Sequence, residues 1–308
     1  MRPDLRSMSL SHEEESDFKS RRPQLGEAGI RMSTSPKTTV INPQNFIPDL
    51  TGNIEDISRE PVVIAMNEVY TGKRKSTGEK VGLKATRLVS RAGSHGPPKA
   101  SKELQREINN WVKLDHKYIL PFLGTCVCND KFFLVSPWAD YGNAMDFLKS
   151  KPKANRLKII RQVAEAVSYL HNLEPILTHG DLKPQNVLIS RTRKVLLCDF
   201  GLGMLDNMTF TPTMQGGTAG FQAPEVLAGN ARTTATDVWA FASMAFQIVV
   251  EKPPPPIEPA DTPQPSEEID LSRGMDEHLW SILVRCWSYS PSDRPNSREI
   301  VESIAALL

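Results

Sequence analysis

Cysteine, net charge and long apolar runs are all scarce in this sequence, and each shortage removes a class of protein. Four cysteines, Cys126, Cys128, Cys198 and Cys286, are too few and too scattered for a disulfide framework. Cys126 and Cys128 flank Val127 in an apolar run, which puts both thiols on one side of a strand, and no second Cys/His pair completes a metal site. A reduced, intracellular chain is expected, with the cytoplasm as its compartment. Thirty-seven basic residues against thirty-six acidic ones leave a net charge of +1, so no nucleic-acid or membrane partner is expected from charge. No apolar core suits a signal peptide, since Glu13 to Glu15 and Arg21-Arg22 fall where it would lie. The longest apolar stretch, Val238 to Val250, is interrupted by Ser243 and Gln247; it is too short to span a bilayer and reads as a buried helix.

What is present is enough chain, 308 residues, for one two-lobed domain and a tail. Residues 1–45 mix Ser, Pro, Arg and Glu without periodicity and are expected to be disordered, because such a segment cannot offset its own ordering entropy. Strand-like runs follow, with a turn at Ser76-Thr77-Gly78 between Val69-Tyr70-Thr71 and Val81-Gly82-Leu83-Lys84. A helix with Ser101 as N-cap carries Leu104, Ile108, Trp111 and Leu114 on one stripe. Glu107 lies on that same stripe, so its carboxylate either finds a cation in the core or reaches solvent from the stripe edge. Two further apolar runs, around Cys126 and at Phe132 to Val135, precede a hinge-like Pro137-Trp138-Ala139. A long amphipathic helix then carries Leu157, Ile160, Ala164, Val167 and His171. Val187 to Ile189 and Val195 to Leu197 make a short hairpin, and the remainder is helical, with Asp237 heading the most apolar helix.

Chemistry concentrates around that hairpin. His179-Gly180-Asp181-Leu182-Lys183-Pro184-Gln185-Asn186 leads into it and Asp199-Phe200-Gly201 leaves it. Phosphoryl transfer needs a held triphosphate, a Mg2+ bridging its oxygens and an aligned acceptor hydroxyl with a base nearby. Asp181, in a loop after a helix, suits the base; Lys183, two residues on, suits a transferring phosphate. Asn186, taken to begin the first strand, and Asp199, at the end of its partner, return to one edge and suit the metal. Any one of these is bland alone, but the combination is specific.

These motifs resemble the eukaryotic protein kinase family over residues 46–308, and most closely its tyrosine-kinase-like group of Ser/Thr enzymes, in the style of fungal expansions. The resemblance implies an α+β bilobal fold: a small β-rich N-lobe (50–138) with one helix, a hinge (137–140) and a large, mainly helical C-lobe (141–308). It implies ATP and Mg2+ as cofactors and proteins as substrates. By resemblance, Lys84 is the strand lysine and Glu107 its helix partner, and Val69, Ser136, Ala139 and Leu188 frame the adenine slot. Ser136 is then a small gatekeeper, and Ala139 offers its backbone N–H to the base. His179 belongs to the catalytic loop and Asp237 to the helix that holds it. Gly217-Thr218 precedes Ala223-Pro224-Glu225, and Glu225 is expected to pair with Arg294 of Asp293-Arg294-Pro295. Lys183 resembles the Ser/Thr-specific members.

Three departures stand out. The family's phosphate-covering glycines align with Val62, Ile64 and Asn67, and no glycine lies between Gly52 and Gly72. Without close backbone approach, nucleotide binding is expected to weaken. Gly180 replaces the usual arginine that reads an activation-loop phosphate, which leaves Thr209, Thr211 and Thr213 as phosphosites without that reader. Pro253 to Pro256 opens a Pro- and acid-rich stretch where the family has an amphipathic helix; it reads as a long loop or a polyproline partner site. The expected function is a Ser/Thr protein kinase. The alternatives are a scaffold with a vestigial nucleotide site and, more remotely, a small-molecule phosphotransferase, whose loop also reads His-Gly-Asp. The sequence leaves oligomeric state open.

Overall fold

The computed structural model describes residues 47–64, 68–86, 88–89, 99–100, 102–129, 131–200, 204–205, 220–254 and 275–308, all within one unit spanning 39–308. Its N-terminal part is a sheet with one helix and its C-terminal part is helical, the bilobal α+β architecture expected. Ser101, Asn67, Gly201, Thr209, Thr211, Thr213, Gly217, Thr218, Pro255 and Pro256 lie outside the described residues, as does the segment 1–45.

The N-lobe strands are β1 (Ile54–Glu55), β2 (Val63–Ile64), β3 (Glu68–Arg74) and β4 (Lys80–Thr86). Short β5 (Leu88–Val89) and β6 (Lys99–Ala100) pair with each other before helix α1 (Lys102–Trp111), and β7 (Gly124–Cys128) and β8 (Lys131–Pro137) follow. The main sheet is antiparallel in the order β1-β3-β4-β8-β7, with β2 also on β3. Alternation puts Tyr70, Val81, Leu83, Cys126, Phe133 and Val135 on one face, where they bury a small core with Leu50. Tyr70 meets Phe133 edge-on with ring centroids 5.6 Å apart. The same alternation sends Lys80, Gly82 and Lys84 to the opposite face, toward α1 and the C-lobe. Cys126 is buried and Val127 exposed, as a strand requires. Burial pushes the Cys126 and Cys286 thiols up to about 12, so both behave as packing groups.

The C-lobe begins with α2 (Ala144–Ser150) and α3 (Arg156–His171), each started by an asparagine whose side chain accepts first-turn N–H groups: Asn143 from Met145 and Asp146, Asn155 from Lys158. Next come β9 (Leu177–Thr178), a 3-10 turn at Pro184–Asn186, β10 (Val187–Ile189), β11 (Val195–Leu197) and β12 (Met204–Leu205), which pairs with β9. Helices α4 (Pro224–Leu227), α5 (Thr234–Val250), α6 (Glu277–Cys286) and α7 (Ser297–Ala305) complete the lobe. Thirteen of the residues of α5 are buried, so it is enclosed on all sides rather than amphipathic. Among the described residues no helix is long and apolar enough to cross a membrane. The main core runs from Ile108, Trp111 and Leu134 in the N-lobe to Phe200, Phe241 and Ile304 in the C-lobe, so apolar packing is continuous behind the cleft.

Two boundaries differ from the sequence reading. α1 stops at Trp111, and Leu114 is buried in the turn that follows. Asn186 closes the 3-10 turn, and the strand starts one residue later, because Pro184 at the head of that turn lacks an N–H and favours its geometry.

Candidate active site

Lys84 sits in mid β4, opposite Val69 of β3 and Leu134 of β8. Its Nζ lies 2.6 Å from Glu107 Oε1 on α1 and 3.1 Å from Asp199 Oδ1. The carboxylate on the apolar stripe is therefore buried against a cation rather than turned to solvent. Trp111 fixes that helix: its indole N–H donates to the Leu120 carbonyl at 2.5 Å, and its ring packs against Phe122 at 5.1 Å and Phe200 at 6.3 Å. Burial works against the charge on Lys84, but Glu107 and Asp199 outweigh it and hold its pKa above the ordinary lysine value. Burial lifts the Glu107 carboxyl against the pull of Lys84, and Asp199 adds to the rise. Asp199 is itself held below the usual range, because Lys84 overrides its burial.

Residues 179–186 form the loop between β9 and β10. Asp237, in the first turn of α5, pins it from below. Its Oδ2 accepts the His179 N–H at 2.6 Å and lies 2.9 Å from His171 Nε2; its Oδ1 accepts the Gly180 N–H at 2.9 Å. Burial would raise this carboxyl, but the hydrogen bond with His171, the nearby histidines and the Gly180 N–H hold it below the usual range. His179 packs on Phe200 at 5.3 Å, with Nε2 3.0 Å from the Cys198 carbonyl. Asp181 Oδ2 lies 2.6 Å from Lys183 Nζ and 3.2 Å from Asn186 Nδ2, and that amide also donates to the Asp181 carbonyl at 2.8 Å. β10 and β11 pair Val187 with Leu197, and the Cys198 N–H donates to the Asn186 carbonyl at 3.0 Å. Asn186 and Asp199 thus flank one edge of the hairpin. One carboxylate and one amide are a lean donor set, and they fit a Mg2+ that shares its coordination with phosphate and water.

The four residues expected to frame an adenine slot lie on three strands and the segment after β8. Val69 faces Lys84 across β3 and β4, Ser136 is the cross-strand partner of Gly82, Ala139 is buried after β8, and Leu188 lies in β10. The hinge is bonded to both lobes: Trp138 N–H donates to Lys80 O at 3.2 Å, Tyr141 N–H to Ile189 O at 3.1 Å and Ile189 N–H to Gly142 O at 2.8 Å. Lys80 Nζ stands 4.5 Å above the Trp138 ring. Glycine at 82 leaves room beside Ser136 and Trp138; an added Cβ would lie 3.5 Å from Ser136 Oγ and 3.7 Å from the indole.

The segment expected to cover phosphate pairs β2 with β3 in antiparallel register. Val63 pairs with Val69 and Ile64 with Glu68, and the Val62 N–H donates to Val69 O at 2.8 Å. Val62 and Val63 are about half exposed, at 49% and 47%. Upstream, Glu55 pairs with Lys73, so seven residues (56–62) face three (70–72), and the excess forms an irregular segment entered at Asp56, φ 51°, and tied to β3 by the Ser58 N–H donating to Thr71 O at 2.8 Å.

Farther off, Arg294 and Glu225 form a two-pronged pair, Nη1–Oε1 2.5 Å and Nη2–Oε2 2.8 Å, and Arg294 also donates to Ala235 O at 2.9 Å. Sequence reasoning missed three participants: His171 as a partner of Asp237, the Trp111 indole bond, and Arg232, whose Nε–H donates to the Gly180 carbonyl at 3.2 Å. His171 closes the stripe of α3 and was open to that reading; the other two bonds join elements whose packing no local pattern displays.

The family model described as Protein kinase domain matches residues 65–304. Probable serine/threonine-protein kinase drkD of Dictyostelium discoideum is 29% identical over 220 residues, covering 68% of this chain and 17% of that protein. Serine/threonine-protein kinase CTR1 of Arabidopsis thaliana is 26% identical over 255 residues, 75% of this chain and 31% of its own length. Mitogen-activated protein kinase kinase kinase 7 of Drosophila melanogaster is 29% identical over 212 residues, 65% of this chain and 31% of that protein. The match thus spans less than a third of each of these relatives.

Proposed function

The chain belongs to the protein kinase family, and we propose that it transfers the γ-phosphate of ATP, with Mg2+, to serine or threonine hydroxyls of proteins. The observation that carries this reading is Lys84 held between Glu107 and Asp199, at 2.6 and 3.1 Å, beside an edge that also bears Asn186 and Asp181. A protein with no chemistry to perform has no need for a buried lysine shared by two carboxylates, an arrangement that is costly to desolvate.

Bound Mg-ATP supplies the phosphoryl group and a metal charge that offsets its oxygens. Lys84 holds phosphate oxygens from the roof while Glu107 keeps its ammonium in place. Asn186 and Asp199 would hold the metal ion, whose charge would offset that of the phosphate oxygens. Asp181 receives the proton of the acceptor hydroxyl, and Lys183, now 2.6 Å from Asp181, is placed to steady the transferring phosphate. Val69, Leu188, Ser136 and the Ala139 backbone would hold the base of a bound nucleotide, the first two by apolar contact and Ala139 through its N–H. The serine/threonine names of the relatives and the lysine at position 183 both favour hydroxyl acceptors of that kind.

The test uses the full chain. With Mg-ATP and a generic Ser/Thr protein substrate, wild type is expected to incorporate phosphate. Asp181→Asn is expected to lower kcat by about 10²–10⁴ while keeping the rise in Tm that Mg-ATP induces. If both proteins are silent and Mg-ATP leaves Tm unchanged, the chain is a non-catalytic scaffold. Faster labelling of an aminoglycoside or choline than of any protein would make it a small-molecule phosphotransferase.

A further inference from the structure

The peptide plane between Gly180 and Asp181 carries the base, and glycine is the residue with the most backbone freedom to lose in holding it. Gly180 has φ 81°, and its own N–H is fixed by Asp237 at 2.9 Å. The next plane is gripped at both ends. The Asp181 N–H donates to His179 Nδ1 at 3.2 Å, and the Gly180 carbonyl accepts the Nε–H of Arg232 at 3.2 Å. Arg232 is 6% exposed and precedes α5 by two residues. It lines a small cleft with Gly180, Asp181, Phe221, Gln222 and Asp237. Burial lowers its pKa, and the carboxylates of Asp181 and Asp237 oppose that fall. A buried guanidinium is costly, and this one reaches out of the segment before α5 to the backbone carbonyl that precedes the candidate base.

We propose that Arg232 is a positioning residue for phosphoryl transfer: its Nε–H holds the Gly180 carbonyl, fixes the Gly180–Asp181 plane and so aims the Asp181 carboxylate. This role rests on the kinase reading above, with Asp181 as the base. The bond compensates from a distant element for a loop residue that has no side chain with which to anchor itself.

Three substitutions separate the bond from the charge. In Arg232→Gln the amide nitrogen occupies the place of the arginine Nε and still donates, but the charge is gone. Arg232→Lys keeps the charge and puts a methylene where the donor was. Arg232→Ala removes both. In the full chain, Arg232→Ala and Arg232→Lys are expected to lower kcat about tenfold, with KM for ATP unchanged, and Arg232→Gln to stay within about threefold of wild type. Amide hydrogen exchange in the peptide spanning 179–186 should quicken in the Ala and Lys variants and match wild type in the Gln variant. Equal kcat in all three overturns the proposal, as does an active Lys variant beside a silent Gln variant, which would mean that charge acts and the bond does not. A fall in kcat that tracks a fall in Tm across all three, Gln included, also overturns it. If wild type transfers no phosphate, the kinase reading fails on its own account. Exchange then decides the role of Arg232, and unchanged exchange in Arg232→Ala overturns it.

Discussion

Gly180 and Asp199 both hold left-handed backbones at the catalytic edge, with φ of 81° and 71°. An L-residue in that region is strained by roughly 1–2 kcal/mol, and aspartate is among the few that tolerate it. The two positions resolve the strain differently because their side chains have different work. Asp199 keeps a carboxylate that meets Lys84 at 3.1 Å, so the strain is carried for the sake of the charge. Position 180 contributes only its N–H and carbonyl, to Asp237 and Arg232, so a glycine there relaxes the loop without loss of a contact. The sequence alone presents Gly180 as a missing phosphate reader, whereas the backbone shows a second consequence, a less strained loop. Gly180→Ala is accordingly expected to destabilise the fold by about 1–2 kcal/mol, read as a lower midpoint in urea with unchanged slope. An unchanged midpoint would mean that the loop carries no left-handed strain at this residue.

At the scale of elements, the hairpin of β2 and β3 is where sequence and structure bear most directly on each other. The absence of glycine at Val62, Ile64 and Asn67 was legible. The register was not: the ladder runs up to the Ile64–Glu68 pair, and the irregular segment 56–62 between β1 and β2 absorbs the extra residues. β-branched Val63 and Ile64 suit that extended ladder, which is the physical reason they stand where a phosphate-covering loop would want freedom. Ile64→Gly is expected to lower KM for ATP several-fold while reducing stability by about 0.5–1 kcal/mol, measured by nucleotide titration and thermal melting on the same preparation. A raised KM would show that the isoleucine itself contacts the nucleotide. β3, β4, β7, β8, α3, α5 and the β10–β11 hairpin were legible because their periodicities are long or their turns well marked, whereas the two-residue strands β1, β5, β6, β9 and β12 are too short to leave a pattern. The end of α1 and the Arg232 contact were not, because a helix limit and a cross-element hydrogen bond are set by packing that no local window contains.

Across the whole molecule, one chain of contacts joins the N-lobe helix α1 to the centre of the helical lobe: Trp111 to Phe200, Phe200 to His179, and the His179 backbone to Asp237 in α5. Asp237 also meets His171 of α3 and the Gly180 N–H, so this carboxylate, 1% exposed, ties the loop 179–186 to two helices at once. Because its pKa is held below the ordinary 3.8, it also links global stability to pH. A carboxyl depressed in the folded state contributes stability that is complete above its unfolded value. That contribution is lost as pH falls through the folded value, when the anion its partners hold becomes protonated. Asp237→Asn removes the charge at every pH, so it is expected to cost about 3–5 kcal/mol at neutral pH, where wild type has the full contribution. The difference between the two proteins should shrink steadily below about pH 4, as wild type loses the same interaction by protonation. Thermal melts of both proteins from pH 7 down to pH 3 read this directly. Curves that stay parallel through the acid range would show that Asp237 acts by packing alone. Convergence would place the hold of α5 on the catalytic loop in the ionised carboxylate.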